Sequence, residues 1–261
     1  VMTVIRRGLN LIDKRLIDHG AKVMLVVQDM LRADNCQDAL TWKNLSILAL
    51  LHDVGAYRTE DINNLVKFEI GNVWEHSIYG YLFLREFTSL KEWAEVALYH
   101  HADYSSMADQ PEWLRLNAQI LHTADRAVVW HDEVKRSEEE LEKHFAKGIG
   151  RSFSPKAIEL WQKCQKFGTF SKLDDPKYLD TSLDSCLFDE HDSLDYLTMM
   201  IHTIDFRSRV TVTHTVGVME IGFRLARKME LPEHVCQQIY YGAMLHDLGK
   251  IGIPVSILEM P

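Results

Sequence analysis

The stretch from Thr41 to Asp53, TWKNLSILALLHD, sets a histidine and a carboxylate at the end of an almost wholly apolar run. On a helix, Leu45, Leu48 and Ala49 lie seven, four and three residues before His52, on the same face as it. Leaving a buried carboxylate bare costs on the order of several kcal/mol, so the pair must be bonded or ligated by groups from other elements of a packed core. The pattern returns late in the chain. Leu50 to Asp61 reads LLHDVGAYRTED and Ala243 to Pro254 reads AMLHDLGKIGIP, with Ala56 where the second copy has Lys250. His19 precedes the first pair and His214 the second, and the two gaps differ by one residue. That spacing reads as two copies of one helical module, the second cut short.

Helical spacing dominates throughout, and no run alternates for long in the strand manner, so an all-α fold is expected. The expected helices are Val4–Arg32, with Gly20 as its point of weakness, then Thr41–Leu51, Glu60–Phe68, Val73–Phe87 and Leu90–His100. They continue as Pro111–Trp130, Glu133–Phe145, Pro155–Phe167, Leu194–Ile204, Arg209–Met229 and Pro232–Leu245. Thr41 and Ser154-Pro155 are expected helix starts. The polar, turn-rich stretch between Phe167 and His191 is the expected linker. The implied organisation is a first module over 1–170, a linker over 171–190 and the opening of a second module over 191–261.

Composition excludes some classes. With 29 basic against 38 acidic residues and a net charge of -9, the chain lacks the basic stripe of a nucleic-acid polymer binder. No apolar run approaches the roughly 18 residues of a membrane span. Cys36, Cys164, Cys186 and Cys236 are scattered without C-x-x-C pairing, which fits reduced thiols in a cytoplasmic protein. The chain stops at ILEMP directly after a motif, as a fragment of a longer protein would.

The test that singles out His52-Asp53 also selects His19, His76, His100, His101 and Asp125, each on the apolar face of its helix. The other His-Asp pairs, His131-Asp132 and His191-Asp192, stand in polar contexts and read as surface pairs. A lone core histidine is ordinarily satisfied by a backbone carbonyl. Five imidazoles and two carboxylates converging on one core cannot all neutralise one another, and their donor chemistry suits iron, manganese, nickel or zinc. The set exceeds what one ion needs and accommodates two divalent ions sharing a carboxylate. Two such ions less two carboxylates leave a local charge of about +2, enough to fix a phosphodiester and to lower the pKa of a shared water.

The order H…HD…H…HH…D resembles the HD superfamily of metal-dependent phosphohydrolases, and particularly its HD-GYP branch. The stretch from DFRSRVTVTH to LHDLGKIGIPVSILEMP resembles the opening of a second, HD-GYP domain. The resemblance implies a bundle of about seven helices. It implies one ion held by His19, His52, Asp53 and Asp125, with Asp53 bridging to a second held by His76, His100 and His101. In the second module it implies His214, His246 and Asp247 as ligands; as catalytic residues it implies Asp53 in the first module and Lys250 in the second. The implied reaction is hydrolysis of a cyclic dinucleotide, cyclic di-GMP or a related one, or of another small phosphoester, by a hydroxide generated between the ions. The alternative is a metal-binding regulatory or dimerisation module, with a homodimer as its partner arrangement.

Three features depart from that pattern. H-D-x-G-K has become HDVGA at Ala56, and Arg58 is the nearest cation in sequence. The sequence after the double histidine is HHADYSSMADQPEW rather than one carrying GYP. Arg15 stands where some members have a third-metal glutamate, so two ions are expected.

Overall fold

The computed structural model describes residues 14–56, 73–134, 137–185, 190–206, 214–247, 249–250, 253 and 257. Its first helix, α1 (Lys14–Ala33), is the axis of the molecule and packs against five other helices. Val23, Met24, Val26, Val27 and Met30 bury its apolar face. The helix runs unbroken through Gly20, against expectation. The glycine serves a close approach instead: an ideal Cβ there would stand 2.3 Å from the Leu50 carbonyl oxygen. Only a missing side chain lets the end of α2 come this near, and that contact carries His19 up to His52.

Helix α2 (Ala39–Leu51) starts before Thr41, because Asp38 caps it by accepting from the Leu40 and Thr41 N–H groups, both at 3.2 Å. Thr41 donates its hydroxyl to that same carboxylate rather than capping on its own. A 3-10 turn, Val54–Ala56, follows His52-Asp53. The expected helix Glu60–Phe68, and Arg58, lie outside the described residues.

Next come α3 (Val73–Phe87), α4 (Ala94–Leu98) and α5 (Glu112–Val129), the last followed by a π-helical turn, Trp130–Val134. Helix α6 (Glu138–Gly148) opens on a capping box made by Ser137 and Glu140, so it begins later than the charge pattern implied. Helix α7 (Pro155–Cys164) is capped by Ser154, with proline in its first turn as expected.

The stretch expected as a linker is folded. It contains α8 (Thr169–Lys172) and α9 (Pro176–Asp184), and Leu173, Leu179 and Leu183 from it join the main core. Leucines at helical spacing override the polar turn composition once α1 offers them a surface, through its contacts with α8 and α9. The chain continues into α10 (Glu190–Phe206), which packs on α3 and touches the final pair, α11 (His214–Lys228) and α12 (Glu233–Leu245). Asp192 is not on the surface as its His-Asp context implied; it is buried, paired with Lys43 and bonded by the Ser89 hydroxyl at 2.8 Å.

Among the described residues the structure is helical, with one isolated bridge between Ile149 and Phe153. Two cores result. The large one joins α1 to α9 and part of α10, and a small one gathers Ile201, Met219 and Met244. Ile221 and Leu225 of α11, and Met229 just after it, stay exposed. Among the described residues, no helix is long and apolar enough to cross a membrane. Cys164 and Cys236 are buried and Cys36 half-buried, all as free thiols; Cys186 lies outside the described residues.

Candidate metal centre

The histidines are oriented by the helix ends that carry them. His52 follows the last residue of α2, where backbone carbonyls lack a helical partner. Its Nδ1 lies 2.9 Å from the Ala49 carbonyl three residues back, so that nitrogen holds the proton and Nε2 presents a lone pair. His100, just past α4, repeats the device with the Ala97 carbonyl. His246, just past α12, repeats it with the Ala243 carbonyl at 2.7 Å. Each of these three histidines is thus held in the tautomer a ligand needs, by a backbone group three residues before it.

The inward atoms form two adjoining groups. In one, Asp53 Oδ1 lies 3.5 Å from both His76 Nε2 and His100 Nε2, and His76 Nε2 lies 3.0 Å from His101 Nε2. In the other, His19 Nε2 lies 3.0 Å from Asp125 Oδ1, and His52 Nε2 lies 3.9 Å from the same oxygen. Asp53 Oδ2 faces this second group, 3.4 Å from His52 Nε2. One carboxylate therefore turns an oxygen to each group.

Two close backbone approaches make this possible. An ideal Cβ on Gly55 would stand 2.1 Å from the His76 carbonyl oxygen and 2.5 Å from the Gly80 nitrogen. On the facing side, an ideal Cβ on Gly80 would meet the His52 carbonyl oxygen at 3.2 Å. The HD turn and α3 meet glycine to glycine, which brings His76 against Asp53.

The electrostatics favour charged carboxylates and, at His52, His76 and His101, neutral donors. Burial pushes His76 down to about 4 and also lowers His52. Burial, with His100 and Arg126 nearby, lowers His101 well below its usual value. Burial would raise Asp53, but the surrounding His52, His100 and His76 outweigh it and hold the carboxyl well below the usual range. Asp125 likewise resists burial and is lowered well below it, chiefly by Arg126 and His19. His19 is raised, because its bond to Asp125 outweighs burial.

These residues fit a metal centre. His52 Nε2, Asp53 Oδ1 and His100 Nε2 are buried without a hydrogen-bond partner, a costly state for three polar atoms aimed at common points. Donors bound to one transition metal at about 2.0–2.2 Å sit roughly 3–3.5 Å apart, which is the spacing of most of these pairs. The donor set of imidazole and carboxylate suits iron, manganese, nickel or zinc.

In the second module His214, His246 and Asp247 also come together. His246 Nε2 lies 3.2 Å, and His214 Nε2 3.7 Å, from Asp247 Oδ2. The Lys250 ammonium donates to that oxygen at 2.6 Å. This cluster is far more open than the first.

Two residues that the sequence reading passed over belong to the first site. Arg126 Nε donates to Asp125 Oδ2 at 2.9 Å, with Nη2 on the same oxygen. His122 donates from Nδ1 to the His100 carbonyl at 2.6 Å and stacks on Phe153. His122 stands one helical turn before Asp125 on the same face, a signal the periodicity carried; nothing in the sequence marked Arg126. His131-Asp132, expected on the surface, is half-buried in an ion network with Lys22 and Asp174.

The HD domain family matches residues 16–129 and again 211–261. The chain belongs to the HD domain family. The HD match covers both clusters and omits the connecting helices α6 to α10. This HD protein is 23% identical over 282 aligned residues to 3'3'-cGAMP-specific phosphodiesterase 1 of Vibrio cholerae, across 98% of this chain and 64% of that protein. It therefore spans less than two thirds of that relative's length. A cyclic di-GMP phosphodiesterase of Thermotoga maritima is 40% identical over 57 residues, which is 22% of this chain and 16% of that one. The crystal structure of a V. cholerae cyclic GMP-AMP-specific phosphodiesterase superposes with a TM-score of 0.64. It is 17% identical and covers 98% of this chain and 73% of its own, which establishes the shared fold.

Proposed function

We propose that the first module, residues 1–170, is a metal-dependent phosphohydrolase acting on a cyclic dinucleotide or a related small phosphodiester. The observation that carries this reading is Asp53, with Oδ1 3.5 Å from His76 and His100 and Oδ2 3.4 Å from His52. His19, His52, Asp53 and Asp125 would hold one divalent ion, and His76, His100 and His101, with Asp53 shared, a second. Ions bound there supply Lewis acidity, lowering the pKa of a water and drawing in a phosphoester oxygen. The chain's own residues keep the His52, His76 and His101 imidazoles neutral, hold Asp53 and Asp125 ionised, and exclude bulk water by burial. The activities of the relatives, on 3'3'-cGAMP and cyclic di-GMP, support a cyclic dinucleotide as substrate.

Residues 191–261 read as the opening of a second, HD-GYP module. Both HD turns close in the same way, with Ala56 N–H on the Asp53 carbonyl and Lys250 N–H on the Asp247 carbonyl, each at 2.9 Å. Free thiols at Cys36, Cys164 and Cys236 support a cytoplasmic location. One observation favours a second reading: Ala56 is fully buried and offers no cation at the HD turn. On that reading the first module keeps its ions but turns over little, and it controls the adjoining module.

The test compares wild type with Asp53→Ala on cyclic di-GMP, 3'3'-cGAMP and bis(4-nitrophenyl) phosphate, with metal content measured in parallel. Hydrolysis abolished with the metal supports the enzyme. Full metal occupancy in wild type without hydrolysis of any of the three selects the regulatory reading. Hydrolysis that survives Asp53→Ala sinks the proposed site.

A further inference from the structure

The two modules each place one cation against a metal-facing carboxylate, but from different directions. In the second, Lys250 projects from the HD turn and its ammonium donates to Asp247 Oδ2 at 2.6 Å. In the first, the same backbone turn carries Ala56, a methyl group with no exposed surface. The cation comes instead from α5. Arg126 Nε donates to Asp125 Oδ2 at 2.9 Å, and Nη2 donates to that oxygen too.

Both donors fall on Oδ2, which leaves Oδ1 turned to His19 at 3.0 Å. The Arg126 side chain keeps 24% of its surface exposed, while Asp125 beneath it keeps 2%. The charge of Arg126 is also felt at His101 and His122. The guanidinium is thus a partly exposed cation held on the outer oxygen of Asp125, close enough to His101 for its charge to act there.

We propose that Arg126 is the anion-binding residue of the first module and receives a phosphoryl oxygen of the substrate in place of the missing lysine. The inference rests on the phosphohydrolase reading. Arginine suits this role, because it carries five N–H donors, more than the two that Asp125 receives from Nε and Nη2, and stays charged at any working pH. Anchoring on Asp125 pre-orients it, so little side-chain freedom is lost when the anion arrives. Because Arg126 approaches from α5 and Lys250 from the HD turn, the two modules would hold a phosphoester in different orientations. The first module would then discriminate among phosphoesters by a different edge of the site.

The experiment uses the whole chain loaded with manganese. It measures inorganic phosphate affinity by calorimetry, and metal content by elemental analysis of the same samples. Wild type binds phosphate. Arg126→Gln keeps the wild-type metal content and loses about ten- to hundredfold in phosphate affinity, the range for one charge-assisted hydrogen bond. Arg126→Lys, which keeps the charge but not the fork, falls between the two. With bis(4-nitrophenyl) phosphate as substrate, the loss in Arg126→Gln falls mainly on KM. Unchanged phosphate affinity in Arg126→Gln at full metal content overturns the proposal. A loss of phosphate affinity only in step with lost metal overturns it equally, and makes Arg126 a support for Asp125 alone. Failure of metal-loaded wild type to bind phosphate refutes the phosphohydrolase reading itself, and this inference with it.

Discussion

Gly55→Ala tests whether the close approach of the HD turn to α3 builds the site. The added Cβ would stand 2.1 Å from the His76 carbonyl oxygen, and ordinary contact begins at 3.4 Å, so α3 must retreat by about 1.3 Å. The obstacles are backbone atoms of His76 and Gly80, which cannot swing aside as a side chain can. Overpacking of this kind costs about 2–3 kcal/mol. For a chain of this size that lowers Tm by about 5–10 °C. The same retreat carries His76 away from Asp53, where its Nε2 now lies 3.5 Å from Oδ1. Ligand distances tolerate only about ±0.2 Å, so the ion shared by His76, His100 and His101 should be lost while the His19 side keeps its own. The matched control is Gly249→Ala, the same motif position in the second copy, where no described atom lies within 4 Å of an added Cβ. Elemental analysis and thermal melts of both variants decide the matter. Metal content and Tm equal to wild type in Gly55→Ala, or equal losses in the two variants, would refute the reasoning.

Other outcomes follow from the same geometry. Asp53→Ala should release both ions, because its two oxygens face both groups, whereas His76→Ala should release chiefly one; full two-ion occupancy in either contradicts the assignment. In metal-free protein, burial holds His76 and His122 each at about 4, below the unfolded value near 6.5. Their contribution to stability is complete above about pH 6.5 and is lost as pH falls from there towards about 4. His19, raised by Asp125 against the effect of burial, opposes them: its contribution is present at low pH and lost as pH rises through its folded value. The pair held at about 4 should dominate, so urea midpoints in chelator fall between pH 7.5 and pH 5, and a midpoint that rises would contradict it. Asp192→Ala removes the buried partner of Lys43 and Ser89 and should cost about 2 kcal/mol, read as a lower urea midpoint; an unchanged midpoint would mean these contacts contribute nothing.

The helices were legible because the chain repeats apolar residues at helical spacing, and Val73–Phe87 was read to the residue. Starts were less legible where a side chain outside the periodic run decided them. Asp38 caps α2 from before the expected start, and Ser137 delays α6 beyond the charged run that suggested an earlier one. The helices within the stretch expected as a linker were not legible, because polar turn composition is a local property, whereas Leu173, Leu179 and Leu183 acquire partners only when α1 is already in place.

For the site, the candidates could be named from residue pattern alone. A histidine or aspartate on an apolar helical face declares that it will be buried and must be satisfied, and this holds for His19, His52, Asp53, His76, His100, His101 and Asp125 before any fold is known. Their mutual distances required the folded chain, because they depend on Gly20 against Leu50 and on Gly55 against Gly80, contacts between segments far apart in sequence. The same is true of Arg126. An arginine beside an aspartate on a helix is ordinarily a solvated pair, and only the packing of α5 against α1 turned that aspartate inward and left the guanidinium partly exposed. Local pattern fixes what must be buried; long-range packing fixes what it meets there.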